Sequence, residues 1–255
     1  GARGDMLIEI DAIVERLLLD LEQRGLLQDT LVILSSDNGA QRIPAEQRAG
    51  HFANGDFRGD KGTIFEGGHR VPLIIKWGQQ AFGTSSHPQG TVISALVGVQ
   101  DLFATLAELV GVRLPADQGR DSVSLLPVLM GKATTARDQM VHEADAPEDN
   151  ALDGGIEGRH FAYRSGSWKL VFNGTQSPVG LYDLALDPYE KSNLVGQPQQ
   201  ADRVATMKLA LEKALASERT APVVDPNSTP PSPTVSLSAS PTSVAAGTAA
   251  DLTWS

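Results

Sequence analysis

The chain has 255 residues, enough to bury a full hydrophobic core, and it carries a net charge of −10. This acidity argues against a nucleic-acid groove and against a contact with an anionic membrane surface. The absence of cysteine excludes disulfides and thiolate zinc sites, and no apolar run is long enough to cross a membrane. The chain begins with Gly1 and stops in a strand-like run, which predicts an internal piece of a longer protein.

The first half of the chain alternates between helix and strand patterns. Apolar residues recur at helical spacing over residues 6–27, where Gly25 predicts the helix end, and again over residues 92–110. Between these segments, residues 31–34 and 73–77 are short continuous apolar runs. Such runs are typical of parallel strands that are covered on both faces. We therefore predict an α/β sheet with flanking helices over residues 1–135.

The pattern changes near residue 135 to short strands that are separated by turns. Strands are predicted at residues 140–142, 161–164, 168–172 and 180–184, and one amphipathic helix at residues 199–217. These elements predict a small antiparallel sheet with a helix, forming an α+β subdomain over residues 136–220.

The composition changes again at residue 221. Residues 221–234 are rich in Pro, Ser and Thr, which is typical of a semi-rigid extended linker. Residues 235–255 alternate apolar and polar side chains around two turns, and they look like the opening strands of a truncated bacterial immunoglobulin-like module. So few strands do not fold alone, and we expect poor packing there.

Acidic residues concentrate between positions 138 and 157, where seven Asp and Glu occur without Lys or Arg. A solvated loop is the simpler interpretation. A second cation site, or a gate beside an active site, is the alternative.

A polar sequence follows the first predicted strand directly, and it contains Asp37, Asn38 and Gly39. Carboxylate and amide oxygens are ligands for Mg²⁺ or Ca²⁺, and a glycine lets the backbone turn away beneath the ion. In open α/β sheets, ligands bind beyond the carboxyl ends of the strands. However, Asn-Gly is also a strong hairpin-turn signal. The motif alone therefore leaves a metal site and a tight turn both open.

A second motif, the lysine loop over residues 58–65, places Lys61 between two glycines, Gly59 and Gly62. Flexible glycines around one cation fit a loop that wraps a tetrahedral oxyanion, with the ammonium as a point charge. An ordinary surface lysine is the alternative interpretation. Glu66 and Arg70 lie four residues apart and are predicted to form a structural pair.

These motifs together resemble the sulfatase family of the alkaline-phosphatase-like superfamily. Six segments match it in order: TLVILSSDNG, FRGDKGTIFEGGHRVP, QDLFATLAELVGV, SLLPVLMG, SGSWKLVFN and LYDLALDPYEKSNLV. The resemblance covers roughly residues 5–217. It implies the C-terminal part of an alkaline-phosphatase-like α/β sheet with flanking helices, plus a small antiparallel-sheet-and-helix subdomain.

The resemblance also implies roles for individual residues. Asp37 and Asn38 would be ligands of a divalent cation, Ca²⁺ rather than Mg²⁺, and Lys61 would contact the sulfate oxygens or the leaving oxygen. The chain lacks Cys-x-Pro-x-Arg and Ser-x-Pro-x-Arg. The formylglycine nucleophile is therefore expected upstream of Gly1, and the chain alone is expected to be inactive. Asp60 stands where the family usually carries glycine, which puts a carboxylate next to Lys61 in the sequence.

Two of the five histidines are candidates for substrate contact. His142 ends a predicted strand and is followed by Glu143, and His51 lies just upstream of the lysine loop. A lone histidine is more often structural or exposed than catalytic, so both interpretations stay open.

The function implied is a metal-dependent sulfuric ester hydrolase in the periplasm or outside the cell. Its substrate would be a sulfate ester, and the immunoglobulin-like pattern suggests a sulfated polysaccharide. A phosphodiesterase or phosphonate hydrolase of the same superfamily is one alternative, and a non-catalytic glycan-binding surface protein is another. No nucleic-acid partner and no membrane span are expected, and the oligomeric state is left open.

Overall fold

The computed structural model describes residues 1–79, 83, 85–88, 90–145, 159–222, 237–240 and 251–254. The helices in these ranges are α1 (Ala2–Gln23), α2 (Pro44–Arg48), α3 (Glu66–His69), α4 (Asp101–Leu109), α5 (Leu126–Leu129) and α6 (Ala201–Ser217). The strands are β1 (Val32–Ser35), β2 (Leu73–Lys76), β3 (Gln139–Asp145), β4 (Arg159–Ser165), β5 (Trp168–Phe172), β6 (Pro178–Asp183), β7 (Leu237–Ser240) and β8 (Asp251–Trp254). They form the sheets β1-β2, β3-β4-β5-β6 and β7-β8.

The first predicted helix is present as α1, and its apolar stripe lies on the surface. α1 ends at Gln23, and Gly25 follows in the left-handed conformation at φ +72°, which reverses the chain. None of its residues is buried, and Ile8 is 71% exposed. Arg3 ties the helix to α2, because its Nε donates to Glu46 Oε2 at 2.8 Å. Within the described part of the chain, α1 therefore leaves its apolar side uncovered.

The predicted parallel arrangement of the first two strands is wrong. β1 and β2 pair antiparallel, with Ser35 opposite Leu73. Parallel pairing needs a crossover connection, usually an α-helix that packs on one face of the sheet. The connection here contains only the short helices α2 and α3, and the chain returns beside its own strand. The predicted cover on both faces is not seen in the described residues either, since no residue of β1 or β2 is buried and Ile74 is 58% exposed.

The helix predicted over residues 92–110 is shorter than expected, because α4 begins only at Asp101. The Asp101 carboxylate is fully buried and accepts hydrogen bonds from the backbone of Gly98 and Val123, both at 2.9 Å. It also forms an ion pair with the buried Arg137. These bonds hold the residues before the helix in a turn. Gly111, at φ +71°, follows the C-terminal end of α4.

The four short strands and the late helix are confirmed. β3, β4, β5 and β6 pair antiparallel in sequence order. Alternate side chains of β4, β5 and β6 point to one face of this sheet, where they form a buried cluster with α6: Phe161, Tyr163, Leu170, Phe172, Leu181, Met207 and Leu211. The helix thus covers one face of the sheet, as the periodicity predicts.

The opposite face of this sheet packs on the loop that follows Lys61. Ile64 and Phe65 are 4% and 3% exposed, and they form a cluster with side chains from that face. These side chains are Ala162, Val171, Tyr182 and Leu184. The second sheet therefore supports the lysine loop directly, although it comes much later in the chain.

Several C-terminal predictions fall on residues outside the described ranges. β7 and β8 pair antiparallel, with Leu237 opposite Trp254, but most of residues 221–255 are not described. The linker and the immunoglobulin-like module therefore stay predictions, as does the division of the chain near residue 135. Of the acidic segment, residues 146–158 are outside the description. No described helix is both long and apolar enough to span a membrane.

Candidate active site

Asp37 and Asn38 lie in a bend directly after β1. Asp37 is exposed, and its Oδ1 accepts hydrogen bonds from Asn38 N at 3.0 Å and from Ser36 Oγ at 3.4 Å. The Asn38 amide nitrogen donates to Gly39 O at 3.0 Å, which leaves the amide oxygen to meet a ligand. One carboxylate and one amide oxygen form a hard donor set, which fits Mg²⁺ or Ca²⁺. No group of three or more His, Cys, Asp or Glu suited to a metal occurs among the described residues.

Gly39 marks a close approach of two backbones rather than a hairpin turn. Its N–H donates to Gly68 O at 2.8 Å, and a Cβ built on it would lie 1.8 Å from Gly67 O. The hairpin interpretation of Asn38-Gly39 is therefore wrong. The glycine is needed because the α3 turn packs directly against the Asp37–Asn38 loop.

We expect Gly39→Ala to lower the free energy of unfolding by about 1–3 kcal/mol, since overpacking of a fixed backbone costs that much. Urea denaturation of the full-length protein measures the difference. Gly196→Ala is the matched control, because nothing lies within 4 Å of a Cβ at that position. Equal denaturation midpoints for the two variants would contradict the close approach.

The lysine loop is joined to the Asp37–Asn38 loop through backbone hydrogen bonds. Lys61 N donates to Ala40 O at 3.1 Å, and the Lys61 side chain is exposed. The Asn54 side chain bridges the two loops. On one side its Oδ1 accepts from Ala40 N at 2.8 Å and its Nδ2 donates to Ala40 O at 3.0 Å, and on the other its Nδ2 donates to Gly59 O at 3.3 Å. The structure thus brings the predicted metal ligands and the predicted oxyanion lysine to neighbouring loops.

The carboxylate of Asp60 has a partner of opposite charge. Asp60 is 8% exposed, and its Oδ2 lies 2.9 Å from Arg42 Nε. Its backbone N–H donates to Thr63 Oγ1 at 3.1 Å, which tightens the turn after Lys61. The unusual carboxylate next to Lys61 in the sequence is therefore accompanied by an arginine.

The two candidate histidines lie in different places. His51 lines a small cavity of about 150 Å³ together with Arg42, Asn54 and Asp60. His142 lines a larger cleft that also contains Asp37 and His69. The structure thus brings Asp37 and His142 to one cleft and leaves His51 in the other.

His142 is stacked on His69, which the sequence analysis did not single out. The ring centroids are 4.0 Å apart, and His69 Nε2 lies 3.0 Å from Lys169 Nζ. Burial and the charge of Lys169 lower the pKa of His69 to about 3. Burial and the neighbouring His69 also lower the pKa of His142 well below its usual value. Both rings are therefore neutral at pH 7.

This pair predicts a loss of stability in mild acid. A histidine that the fold keeps neutral binds fewer protons than the same residue in the unfolded chain, so stability is complete above about pH 6.5 and falls as the pH drops toward 3. At pH 5 the expected loss from His69 is about 2 kcal/mol. Urea denaturation of the full-length protein at pH 7 and pH 5 measures it.

His69→Gln removes the titrating group, so this variant should lose about 2 kcal/mol less than the wild type between the two pH values. The exposed His51 is the control, and His51→Gln should lose as much as the wild type. An identical loss in His69→Gln and the wild type would rule out a neutral buried His69.

A buried ion cluster lies beneath this pair of histidines. Lys169 Nζ lies 3.0 Å from Glu66 Oε1 and 2.8 Å from Glu190 Oε1, and the three side chains are at most 1% exposed. Burial acts to raise the pKa of Glu66, but the charge of Lys169 brings it below the usual value. Burial raises the pKa of Glu190. The predicted pairing of Glu66 with Arg70 is confirmed at 3.3 Å, although Lys169 is the more buried partner.

Several known proteins are similar to this chain in sequence. The family model described as Sulfatase matches residues 1–112. The N-acetylgalactosamine-6-O-sulfatase of Bacteroides thetaiotaomicron is 30% identical over 223 residues, covering 80% of this chain and 40% of that protein. Human arylsulfatase A is 32% identical over 217 residues, covering 77% of this chain and 39% of that protein. The chain belongs to the sulfatase family. It spans about two fifths of the length of these two relatives.

Solved structures place this sulfatase chain in the alkaline-phosphatase-like fold. One neighbour, determined in complex with its substrate D-glucosamine-2-N,6-O-disulfate, has a TM-score of 0.62 and 27% identity, covering 82% of this chain and 39% of that one. A phosphonate monoester hydrolase from Silicibacter pomeroyi has a TM-score of 0.59 and 25% identity, covering 82% of this chain and 39% of that one. The predicted fold class is therefore confirmed.

Sequence reasoning missed the residues that support the loops of this sulfatase chain. Asn54 precedes a glycine and looks like an ordinary turn residue, while its bonds to Ala40 cross a 14-residue separation. Lys169 sits in a strand, where its alternation with apolar neighbours predicts a solvent-facing side chain. Lys169 shares a face of the sheet with Ala162 and Val171, which would have indicated that it is buried. This shared face can be recognised only once the register of the strands is known.

Proposed function

We propose that the full-length protein hydrolyses a sulfate ester. The observation that supports this most is the backbone junction between the Asp37–Asn38 loop and the Lys61 loop, in a chain that belongs to the sulfatase family. The junction joins the loop that carries the oxygen donors, at the carboxyl end of β1, to the loop that carries the ammonium group. Such a pairing suits an anionic ester that must be both bound and polarised.

In this proposal Asp37 and Asn38 hold a divalent cation, Ca²⁺ rather than Mg²⁺. Their hard oxygen donors, an exposed carboxylate and a half-buried amide, fit such an ion. Ca²⁺ accepts six to eight oxygens in a flexible geometry, so this chain would supply only part of the shell. A cation bound there would neutralise charge on the ester oxygens. The proposed nucleophile is a formylglycine residue upstream of Gly1 in the full-length protein.

The side chains of this chain bind and orient the ester. Lys61, exposed on the loop joined to that of the cation ligands, donates to an ester oxygen and offsets the charge that develops on the leaving side. His142, with Asp37 in the larger cleft, contacts the group that carries the ester, and its neutral ring can donate a hydrogen bond without adding charge. His51 is also proposed to contact the substrate, but only in the small cavity that it lines together with Arg42.

A sulfated polysaccharide is the proposed substrate class, and a periplasmic or extracellular location is proposed with it. One relative is named for N-acetylgalactosamine 6-O-sulfate, and one structural neighbour holds a disulfated glucosamine. In both names the sulfate group is attached to a sugar. Extracellular action suits a polymeric substrate that cannot enter the cell.

The test compares kcat/KM of the full-length protein for an aryl sulfate and for the matching aryl phosphonate. We expect the sulfate ester to be the better substrate. A clear preference for the phosphonate would favour the phosphonate hydrolase alternative, which the Silicibacter pomeroyi neighbour makes specific. Binding of a sulfated glycan without turnover of either ester would favour a non-catalytic binding protein.

A further inference from the structure

The position of Lys169 calls for a physical reason, because burying charges is unfavourable unless they are paired with good geometry. Lys169 is 0% exposed, and Glu66 and Glu190 are 1% exposed. A well-packed apolar cluster of similar volume would often stabilise a fold equally well. A lysine between two carboxylates fixes the directions of all three side chains, which an apolar cluster does not.

The members of the cluster lie in three different segments of the chain. Lys169 is on β5, on the face that also carries Val171 and Tyr182. Glu66 is the first residue of α3, and Glu190 follows β6. Glu190 also accepts from Glu66 N through Oε2 at 2.7 Å. The cluster therefore holds the start of α3 against the second sheet through both its side chain and its backbone.

A second set of contacts, made by Arg58, attaches α3 and the lysine loop to the second sheet. Arg58, in the lysine loop, donates to Tyr182 Oη at 2.8 Å and to Glu190 O at 3.4 Å. Gly67 N, in α3, donates to Arg58 O at 2.7 Å. The turn and the lysine loop are thus attached to each other and to the second sheet.

The α3 turn also contacts the Asp37–Asn38 loop. Gly68 O accepts from Gly39 N at 2.8 Å, next to Asn38, and Ala40 O accepts from Lys61 N at 3.1 Å. No side chain fits at Gly39 or Gly67, because a Cβ there would lie 1.8 Å and 2.4 Å from backbone oxygens. A shift of α3 would therefore be transmitted to both loops.

We propose that Lys169 and Glu190 are positioning residues for the candidate active site. By fixing the α3 turn on the second sheet, they hold the Asp37–Asn38 loop and the Lys61 loop in the register set by Gly39 and Ala40. Neither residue is a catalytic residue, since they act through Glu66 and the α3 backbone. The consequence for catalysis rests on the proposed function, whereas the consequence for the loops does not.

The experiment measures hydrogen exchange by mass spectrometry on the full-length protein and on Glu190→Gln. Glutamine keeps an oxygen for Glu66 N and leaves Lys169 paired with Glu66, so the fold should persist. We expect the amides of Gly39 and Lys61 to exchange roughly tenfold faster, the size expected when one contact between charged groups is lost. Amides of α4 should be unchanged.

Glu218→Gln is the matched control, because Glu218 forms an exposed pair with Arg120 and its side chain is 77% exposed. Its exchange should equal that of the wild type at Gly39 and Lys61. Lys169→Met removes the shared cation and, where it folds, should accelerate both amides more than Glu190→Gln. If it does not fold, Glu190→Gln decides the question.

Faster exchange confined to β5 and β6 in Glu190→Gln, with Gly39 and Lys61 unchanged, would overturn the proposal and leave the cluster a stabilising one. With an active wild type, kcat of Glu190→Gln should fall at an unchanged KM, measured well below the melting temperature of the variant. Should the wild type hydrolyse no sulfate ester, the proposed function fails and the exchange result still decides the positioning role.

Discussion

Lys61→Ala in the full-length protein is expected to lower the rate of sulfate-ester turnover by roughly 10²–10³-fold, the size associated with one lost donor to a developing oxyanion. Lys61 is exposed, and its backbone is fixed to Ala40 rather than held by the side chain. The substitution should therefore leave the loop in place and remove only the ammonium group. Steady-state kinetics with an aryl sulfate measure the effect.

Lys208→Ala is the control for the loss of a lysine. Lys208 lies on α6 in an exposed i,i+4 pair with Glu212, away from the two loops, and its removal should leave turnover within error of the wild type. A near-normal rate for Lys61→Ala would remove Lys61 from the site. Partial rescue by Lys61→Arg would be compatible with a cation role and would indicate that geometry limits it.

Asp37→Ala is expected to weaken divalent-cation binding by more than roughly 100-fold. Loss of a residue that only supports a metal ligand already weakens binding by roughly 10–100-fold, and Asp37 is proposed to be a ligand itself. The Asp37 carboxylate is exposed, and its contacts to Asn38 N and Ser36 Oγ are local, so the fold should persist without it. Isothermal titration of the metal-free full-length protein with Ca²⁺ gives the affinity directly. Turnover should fall in parallel.

Asp117→Asn controls for the general effect of lost negative charge, because Asp117 is also exposed. Its Ca²⁺ affinity should match that of the wild type. Unchanged affinity in Asp37→Ala would place the cation elsewhere, and the pair Asp37–Asn38 would then be a structural bend only. Restored turnover of Asp37→Ala at high Ca²⁺ would support a ligand role.

The elements that the sequence predicts well are those determined by local periodicity. The strands around Tyr163 and Leu170 and the helix α6 follow from alternation and helical spacing, which reflect contacts on one face. The start of α4 was misplaced because the Asp101 carboxylate binds Gly98 and Val123, and the second of these lies 22 residues away. A buried aspartate at a helix start is not distinguishable by pattern from an exposed one.

The candidate site was predictable only in its separate pieces. Asp37 and Lys61 stand out by residue type and by neighbouring glycines, so each motif is visible alone. Their support is not visible, because Lys169 lies 103 residues from Glu66. The His69–His142 stack is similarly hidden, since it requires both the register of β3 and the position of α3. Long-range contacts of buried charges leave no periodic trace in a sequence.

The most direct test of the account is a crystal structure of the full-length protein grown with Ca²⁺ and inorganic sulfate, with anomalous scattering used to locate the ion. We expect one Ca²⁺ with oxygens of Asp37 and Asn38 at about 2.3–2.6 Å. A sulfate should lie on the same ion, with Lys61 Nζ within about 2.7–3.2 Å of one of its oxygens. Ca²⁺ and sulfate bound away from Asp37, Asn38 and Lys61 would contradict the account.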